Sequence, residues 1–189
     1  PVKELTDMTG HWAAQTVQQL VSQGIINGYE DNTFRPENSI TRAECAAIIK
    51  RALSLSEDCS PCTLSEFTDA ADVQEWAEGP VAAVVEAGLL KGYLNADGTK
   101  TFQPAKKISR VEMAVLLSRV INQNTGSGDQ AAKLTFTDLN EIPDWALDGV
   151  SAAAASGLIN GYPDGTFMPE KEVTRAEAAT MIDRLLKVQ

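Results

Sequence analysis

An arginine recurs at one position in three similar strings: Arg42 in Thr41-Arg42-Ala43-Glu44, Arg110 in Ser109-Arg110-Val111-Glu112 and Arg175 in Thr174-Arg175-Ala176-Glu177. Thr or Ser followed three residues later by Glu is a capping box. It places each arginine at the first position of a helix. A cation there opposes the helix dipole, at a cost of roughly 0.3–1 kcal/mol when exposed. Repeating an unfavourable placement asks for a reason. One reason is an anion site, since a helix N-terminus favours an anion and a guanidinium fork binds a carboxylate through two charge-assisted hydrogen bonds. The other is an internal ion pair, with turn aspartates or with the capping glutamates. The residue types leave the two level.

Other residues recur in step with these arginines. Trp12, Trp76 and Trp145 offer aromatic faces on which a sugar ring can stack. Packing of a first helical turn is the preferred reading, because large aromatics dominate cores. Gly28, Gly92 and Gly161 precede tyrosines and can supply a positive φ, a plain turn, or close approach of a ligand to the backbone. Tyr29, Tyr93 and Tyr162, with Phe34, Phe102 and Phe167, read as core. Asp31, Asp97 and Asp164 lie in loops that lack the alternating oxygen ligands of an EF-hand-type calcium site. The single histidine, His11, belongs to one copy of the pattern only. No Gly-x-Ser-x-Gly, phosphate loop or His-Glu-x-x-His string occurs, so the reading is of a non-enzyme without a cofactor.

Cys45 falls on an apolar helical face and reads as a buried small hydrophobe. Cys59-Ser-Pro-Cys62 permits a disulfide, a metal site or a redox pair; the redox reading needs a βαβ setting that the pattern does not show, and a local disulfide or free thiols are preferred. Zinc is disfavoured because a site needs four ligands, the chain offers three cysteines and one histidine in all, and Cys45 reads as buried.

The elements that position these groups repeat as well. Twelve residues after each tryptophan stands a glycine (Gly24, Gly88, Gly157). Between them apolar residues follow helical spacing: Ala13, Val17, Leu20, Val21; Ala77, Val81, Val84, Val85; Ala146, Val150, Ala153, Ala154. The glycine with its following apolar residue predicts a Schellman ending. Pro80 requires either a first-turn position or a kink. A turn-rich segment then leads through Phe-x-Pro to the capping box. A second apolar face follows: Cys45, Ile48, Ile49, Ala52; Met113, Leu116, Leu117, Val120; Ala178, Met181, Ile182, Leu185.

Each repeat is thus helix–loop–helix and the chain is all-α, with repeats over 1–53, 67–121 and 136–189 and polar linkers over 54–66 and 122–135. Repeat two carries four extra residues between Tyr93 and Phe102. One repeat buries little alone. Three sharing a core suggest a pseudo-threefold bundle.

With 189 residues and 43% apolar content the chain can bury a core. It has no apolar run long enough for a membrane span. Its N-terminus shows no secretion signal, as would a mature or excised fragment. A net charge of -10 argues against nucleic acid. An acidic ligand needs local cations that overcome that field.

The strings Phe67-Thr68-Asp69 and Phe136-Thr137-Asp138, the tryptophan helix, Gly161-Tyr162-Pro163-Asp164-Gly165-Thr166-Phe167 and Thr174-Arg175-Ala176-Glu177 resemble the S-layer homology (SLH) consensus, three times over nearly the whole chain. The resemblance implies a three-lobed helical bundle with a central core. It implies an extracellular wall or S-layer location, with any cargo domain lying outside this chain. The ligand it implies is an acidic secondary cell-wall polymer, commonly bearing pyruvate-ketal-modified N-acetylmannosamine, bound in grooves between adjacent repeats. In that scheme Arg42, Arg110 and Arg175 meet the pyruvate carboxylate, and Gly28, Gly92 and Gly161 let the sugar approach. Repeat one departs with Leu5 and Asn32, and repeat two with Ser109, Val111 and its insertion. Unequal sites follow, the groove using the repeat-two loop being the expected altered one. The competing function is assembly of an S-layer or envelope protein, with arginines tied up internally.

Overall fold

Six α-helices form among the described residues where the apolar periods predict them: α1 (Ala14–Ser22), α2 (Arg42–Ala52), α3 (Glu75–Glu86), α4 (Arg110–Thr125), α5 (Leu147–Ala155) and α6 (Arg175–Val188). The structure is a computed structural model that describes residues 4–56, 63–125 and 133–188. Cys59 and Cys62 lie outside the described residues, while Cys45 is buried as expected. No helix among the described residues is long and apolar enough to cross a membrane.

The first helices end as their glycines dictate. Gly24, Gly88 and Gly157 have φ of +72°, +69° and +70°. The amides that follow reach back to Leu20, Val84 and Ala153, closing Schellman motifs. Pro80 is the sixth residue of α3, beyond the first turn. The helix continues through it, leaving the carbonyl of Trp76 without an amide donor at the proline. Each second helix opens on its capping box. The hydroxyls of Thr41, Ser109 and Thr174 accept from the amides of Glu44, Glu112 and Glu177, whose carboxylates accept from the capping amides in return.

The chain divides into two compact units. One is Ile40–Lys107; the other joins Pro1–Ser39 to Ile108–Gln189. In the first, α2 packs on α3. In the second, α4 packs on α5 and α1 on α6. The second helix of a repeat therefore buries its apolar face against the first helix of the next repeat, and that of repeat three against repeat one. A lone repeat has no partner for either face. Phe34, Phe102 and Phe167 are each fully buried and anchor the loops that lead into the second helices.

The all-α reading needs one correction. Tyr93–Leu94 (β1) and Lys100–Thr101 (β2) pair as a short antiparallel hairpin. In repeats one and three the amides of Tyr29 and Tyr162 close the turn directly on the carbonyls of Thr33 and Thr166. In repeat two the equivalent bond runs from Asn95 to Thr99. The four-residue insertion thus adds two residues to each arm and leaves the turn intact. Asn32, Gly98 and Gly165 take the same left-handed place in it, with φ of +62°, +83° and +84°. Asparagine is among the few side-chain-bearing residues that tolerate that region.

Candidate functional site

The three arginines are buried, with 2%, 4% and 7% exposure for Arg42, Arg110 and Arg175. Their partners are neither the turn aspartates nor an open groove. Arg42 Nε donates to the carbonyl of Phe102 at 2.9 Å and Nη2 to that of Lys91 at 2.8 Å. Arg110 donates likewise to Phe167 at 2.8 Å and Asn160 at 3.0 Å, and Arg175 to Phe34 at 2.8 Å and Asn27 at 3.4 Å. Each guanidinium carbon also lies 4.4–4.8 Å from the centroid of a tyrosine ring, that of Tyr93, Tyr162 or Tyr29. A cation opposing a helix dipole is thus stabilised by two carbonyl dipoles and an aromatic face.

The helix N-termini are occupied too. The amides of Arg42 and Ala43 donate to the carbonyls of Lys106 and Pro104. Those of Arg110 and Val111 donate to Lys171 and Pro169, and those of Arg175 and Ala176 to Asn38 and Pro36. The third amide of each helix belongs to the capping box. The expected anion seat at a helix N-terminus is therefore filled by the chain itself, because the Phe-x-Pro loop of the next repeat presents its carbonyls there.

That loop is gripped from its other side by a residue that sequence reasoning passed over. The Asp69 carboxylate accepts from the amides of Phe102 and Gln103, both at 2.7 Å. Asp7 does the same for Phe34 and Arg35, and Asp138 for Phe167 and Met168. The second amide of each pair belongs to a residue forced into the left-handed region: Arg35, Gln103 and Met168 have φ of +58°, +57° and +55°. A non-glycine residue pays strain there, which the two charge-assisted bonds offset. The signal was the aspartate shared by Leu5-Thr6-Asp7, Phe67-Thr68-Asp69 and Phe136-Thr137-Asp138, visible as a recurrence but not as a clamp.

Gly28, Gly92 and Gly161 do not have positive φ. What they need is room. A Cβ at Gly28 would lie 2.3 Å from Leu5 Cδ2, and one at Gly92 2.3 Å from Phe67 Cε1. At Gly161 the nearest atoms, Phe136 Cε1 and Thr166 O, would be 3.0 Å away. The close approach is by the repeat's own first apolar residue.

The tryptophans overturn their packing assignment. Trp12, Trp76 and Trp145 are 64%, 51% and 62% exposed. All stand at the start of a first helix, where the buried face is already filled by Ala13, Ala77 and Ala146. His11 braces Trp12: its Nδ1 accepts from the Ala13 amide, its Nε2–H points to Glu37 Oε1 at 2.8 Å, and its ring lies 5.3 Å from the indole.

Within the Ile40–Lys107 unit a cleft of about 260 Å³ is lined by Thr41, Glu44, Asp72, Gln74, Trp76 and Lys107, with Ala43, Ala77, Pro104 and Ala105 between them. Trp76 Nε1 donates to Gln74 Oε1 at 2.6 Å. Of the predicted site residues Trp76 lines this cleft, while Arg42 and Gly92 do not. The repeat-two insertion contributes nothing to its lining.

The other unit holds a polar cluster. The Tyr162 hydroxyl donates to Glu177 Oε1 at 2.7 Å and accepts from Lys171 Nζ at 2.8 Å, and Arg110 Nη1 lies 3.7 Å from the same carboxylate. Burial pushes the Glu177 carboxyl up, but the Thr174 amide, Tyr162, Lys171 and Arg110 together hold it below the usual glutamate value. Burial raises the Tyr162 phenol, and the bond to Tyr162 raises Lys171.

The S-layer homology domain model matches three segments, residues 4–46, 66–114 and 135–179. The chain is similar to the cellulosome-anchoring protein of Acetivibrio thermocellus, 36% identical over 164 residues, 86% of this chain and 35% of that protein. It is also similar to S-layer protein EA1 of Bacillus anthracis, 34% identical over 175 residues, 92% of this chain and 19% of that one. An amylopullulanase of Thermoanaerobacterium thermosulfurigenes is 33% identical over 186 residues, 98% of this chain and 10% of the enzyme. The chain therefore spans only a small part of each of these relatives.

Proposed function

The chain belongs to the S-layer homology domain family, and from that premise we propose that it is a non-catalytic module that attaches a bacterial surface protein to the cell wall by binding a wall glycan outside the cell. A cellulosome-anchoring protein, an S-layer protein and an amylopullulanase carry a similar segment, which supports a module joined to varied cargo.

One observation carries the glycan reading: three indoles at equivalent helix starts are each more than half exposed. An aromatic ring of that size in water is a cost unless something covers it, and an indole covers the apolar face of a pyranose. Trp12, Trp76 and Trp145 are the stacking surfaces. Gly28, Gly92 and Gly161 take part through the loop shape that their packing sets. The polymer is the acidic one implied by the resemblance, with a pyruvate ketal on N-acetylmannosamine, and a cation of the groove meets its carboxylate. Arg42, which does not line the cleft, takes part by holding the loop that shapes it. Arg110 and Arg175 act mainly by holding their loops. Several weak sites on one chain add through effective concentration.

The test is cosedimentation of the chain with purified wall sacculi before and after mild acid hydrolysis of the ketal. Binding before and loss after is the expected outcome. Undiminished binding afterwards would remove the carboxylate from the scheme, and no binding to any wall fraction would remove the anchor.

The internal bonds of the arginines favour a second reading, an assembly module without direct glycan contact. Self-association by sedimentation velocity in the absence of glycan would support it.

A further inference from the structure

Three residues after the proline of Phe-x-Pro the repeats diverge: Ser39, Lys107 and Glu172. The backbone holds these residues alike. Each makes one antiparallel bridge to a capping residue, Ser39 with Thr174, Lys107 with Thr41 and Glu172 with Ser109. The position therefore stands beside the start of a second helix in every repeat pair, with its chemistry free to vary.

In the Ile40–Lys107 unit, Lys107 lines the cleft with Trp76, Gln74 and Asp72. It is partly buried. Two carboxylates share the cleft, yet among the described residues neither these nor any other acid comes within ion-pair distance of Lys107. Glu44 is held by the capping box through the Thr41 amide, and Asp72 is exposed at the end of a 3₁₀ turn. In a chain of net charge -10, an ammonium left out of ion pairs beside an exposed indole stands apart.

We infer that Lys107 makes this cleft the anion-selective one of the three equivalent places. It takes a single acidic pyranose residue of a glycan. The ring lies on Trp76, hydroxyls donate to Gln74 and Asp72, and the carboxylate rests on the Lys107 ammonium. Glu172 at the same place repels a carboxylate, and Ser39 offers a neutral hydroxyl. The inference rests on the glycan-binding reading above and says which groove reads the charge.

The experiment isolates Trp76 as the only indole in a Trp12→Ala/Trp145→Ala background and follows its fluorescence. Two probes are titrated: an N-acetylmannosaminide bearing a ketal-linked pyruvate, and its methyl ester, which keeps the shape without the charge. The acid should bind about tenfold more tightly than the ester, and the gap should shrink with salt. Lys107→Gln should bring the acid down to the ester and leave the ester unchanged. Lys107→Glu should put the acid below the ester, and Lys107→Arg should keep the preference. An acid preference that survives Lys107→Gln overturns the assignment, as does equal binding of both probes by the parent, and in both cases glycan binding itself stands. If neither probe binds the parent, the glycan reading fails and this inference falls with it.

Discussion

Arg42 Nε stands 2.9 Å from the carbonyl oxygen of Phe102, 60 residues further along the chain. The amides of Phe102 and Gln103 point instead into the Asp69 carboxylate. One loop is thus held by a cation through its carbonyl and by an anion through its amides. The cation belongs to a motif that sequence reading treats as a candidate binding site, and the anion to one that it registers only as a recurrence.

Arg42→Ala should therefore lower stability by about 2–4 kcal/mol, because two carbonyls lose their donor in a buried setting. Arg42→Lys keeps the charge but not the planar fork, so it should recover only part of this. Urea unfolding followed by circular dichroism reads both. An arginine that served a ligand alone would leave the midpoint where it was.

The aspartate clamp makes a matching prediction. Asp69→Asn retains one acceptor oxygen and loses the charge, and should cost about 1–3 kcal/mol. Replacing Gln103 with glycine in that variant should recover part of the loss, since glycine takes φ near +57° without strain. Thermal melts of the single and double variants form the cycle. Additive effects would show that the clamp and the left-handed residue are not coupled.

The glycines of Gly-Tyr should rank by the contact a methyl group would make. Gly28→Ala and Gly92→Ala bring a Cβ to 2.3 Å from a side-chain carbon and below 3.0 Å from a backbone carbonyl. Overpacking of that kind costs about 1–3 kcal/mol. Gly161→Ala, with both nearest atoms at 3.0 Å, should cost least. The order of unfolding midpoints is the readout.

The exposed indoles should behave in the opposite way. Trp12→Ala, Trp76→Ala and Trp145→Ala should each stay within about 0.5 kcal/mol of the parent, as surface substitutions do, while wall binding weakens. Loss of stability without loss of binding would return the tryptophans to a packing role.

Acid should open the turns in a defined window. The bonds from the Thr33 hydroxyl and amide hold the Asp31 carboxyl down, from 3.8 to about 2, with Arg35 contributing. A depressed folded-state value means the contribution is complete above 3.8 and is lost as pH falls from 3.8 towards about 2. Asp97 and Asp164 are lowered for the same reason by Thr99 and Thr166. Carboxyl titration by NMR should show Asp31 moving back up in Thr33→Val. An unchanged titration would mean the hydroxyl is not the cause.

The helices, their capping boxes and their Schellman endings were legible in the sequence, because each depends on residues within about a dozen positions, and the triple repeat was legible as the recurrence of these local patterns. Apolar period fixes a face, a hydroxyl and a glutamate three apart fix a start, and a glycine fixes an end. The fate of Arg42, Asp69, Gly92 and Trp76 was not legible in that way. Whether an arginine meets a ligand or a carbonyl, and whether an indole is covered or bare, depends on what arrives from tens of residues away. Here Phe102 arrives at Arg42 and Phe67 fills the space beside Gly92. Local spacing determines which groups a chain can present. Only the packing of one repeat against the next decides which of them remain at the surface, because burial is a property of neighbours and not of sequence distance.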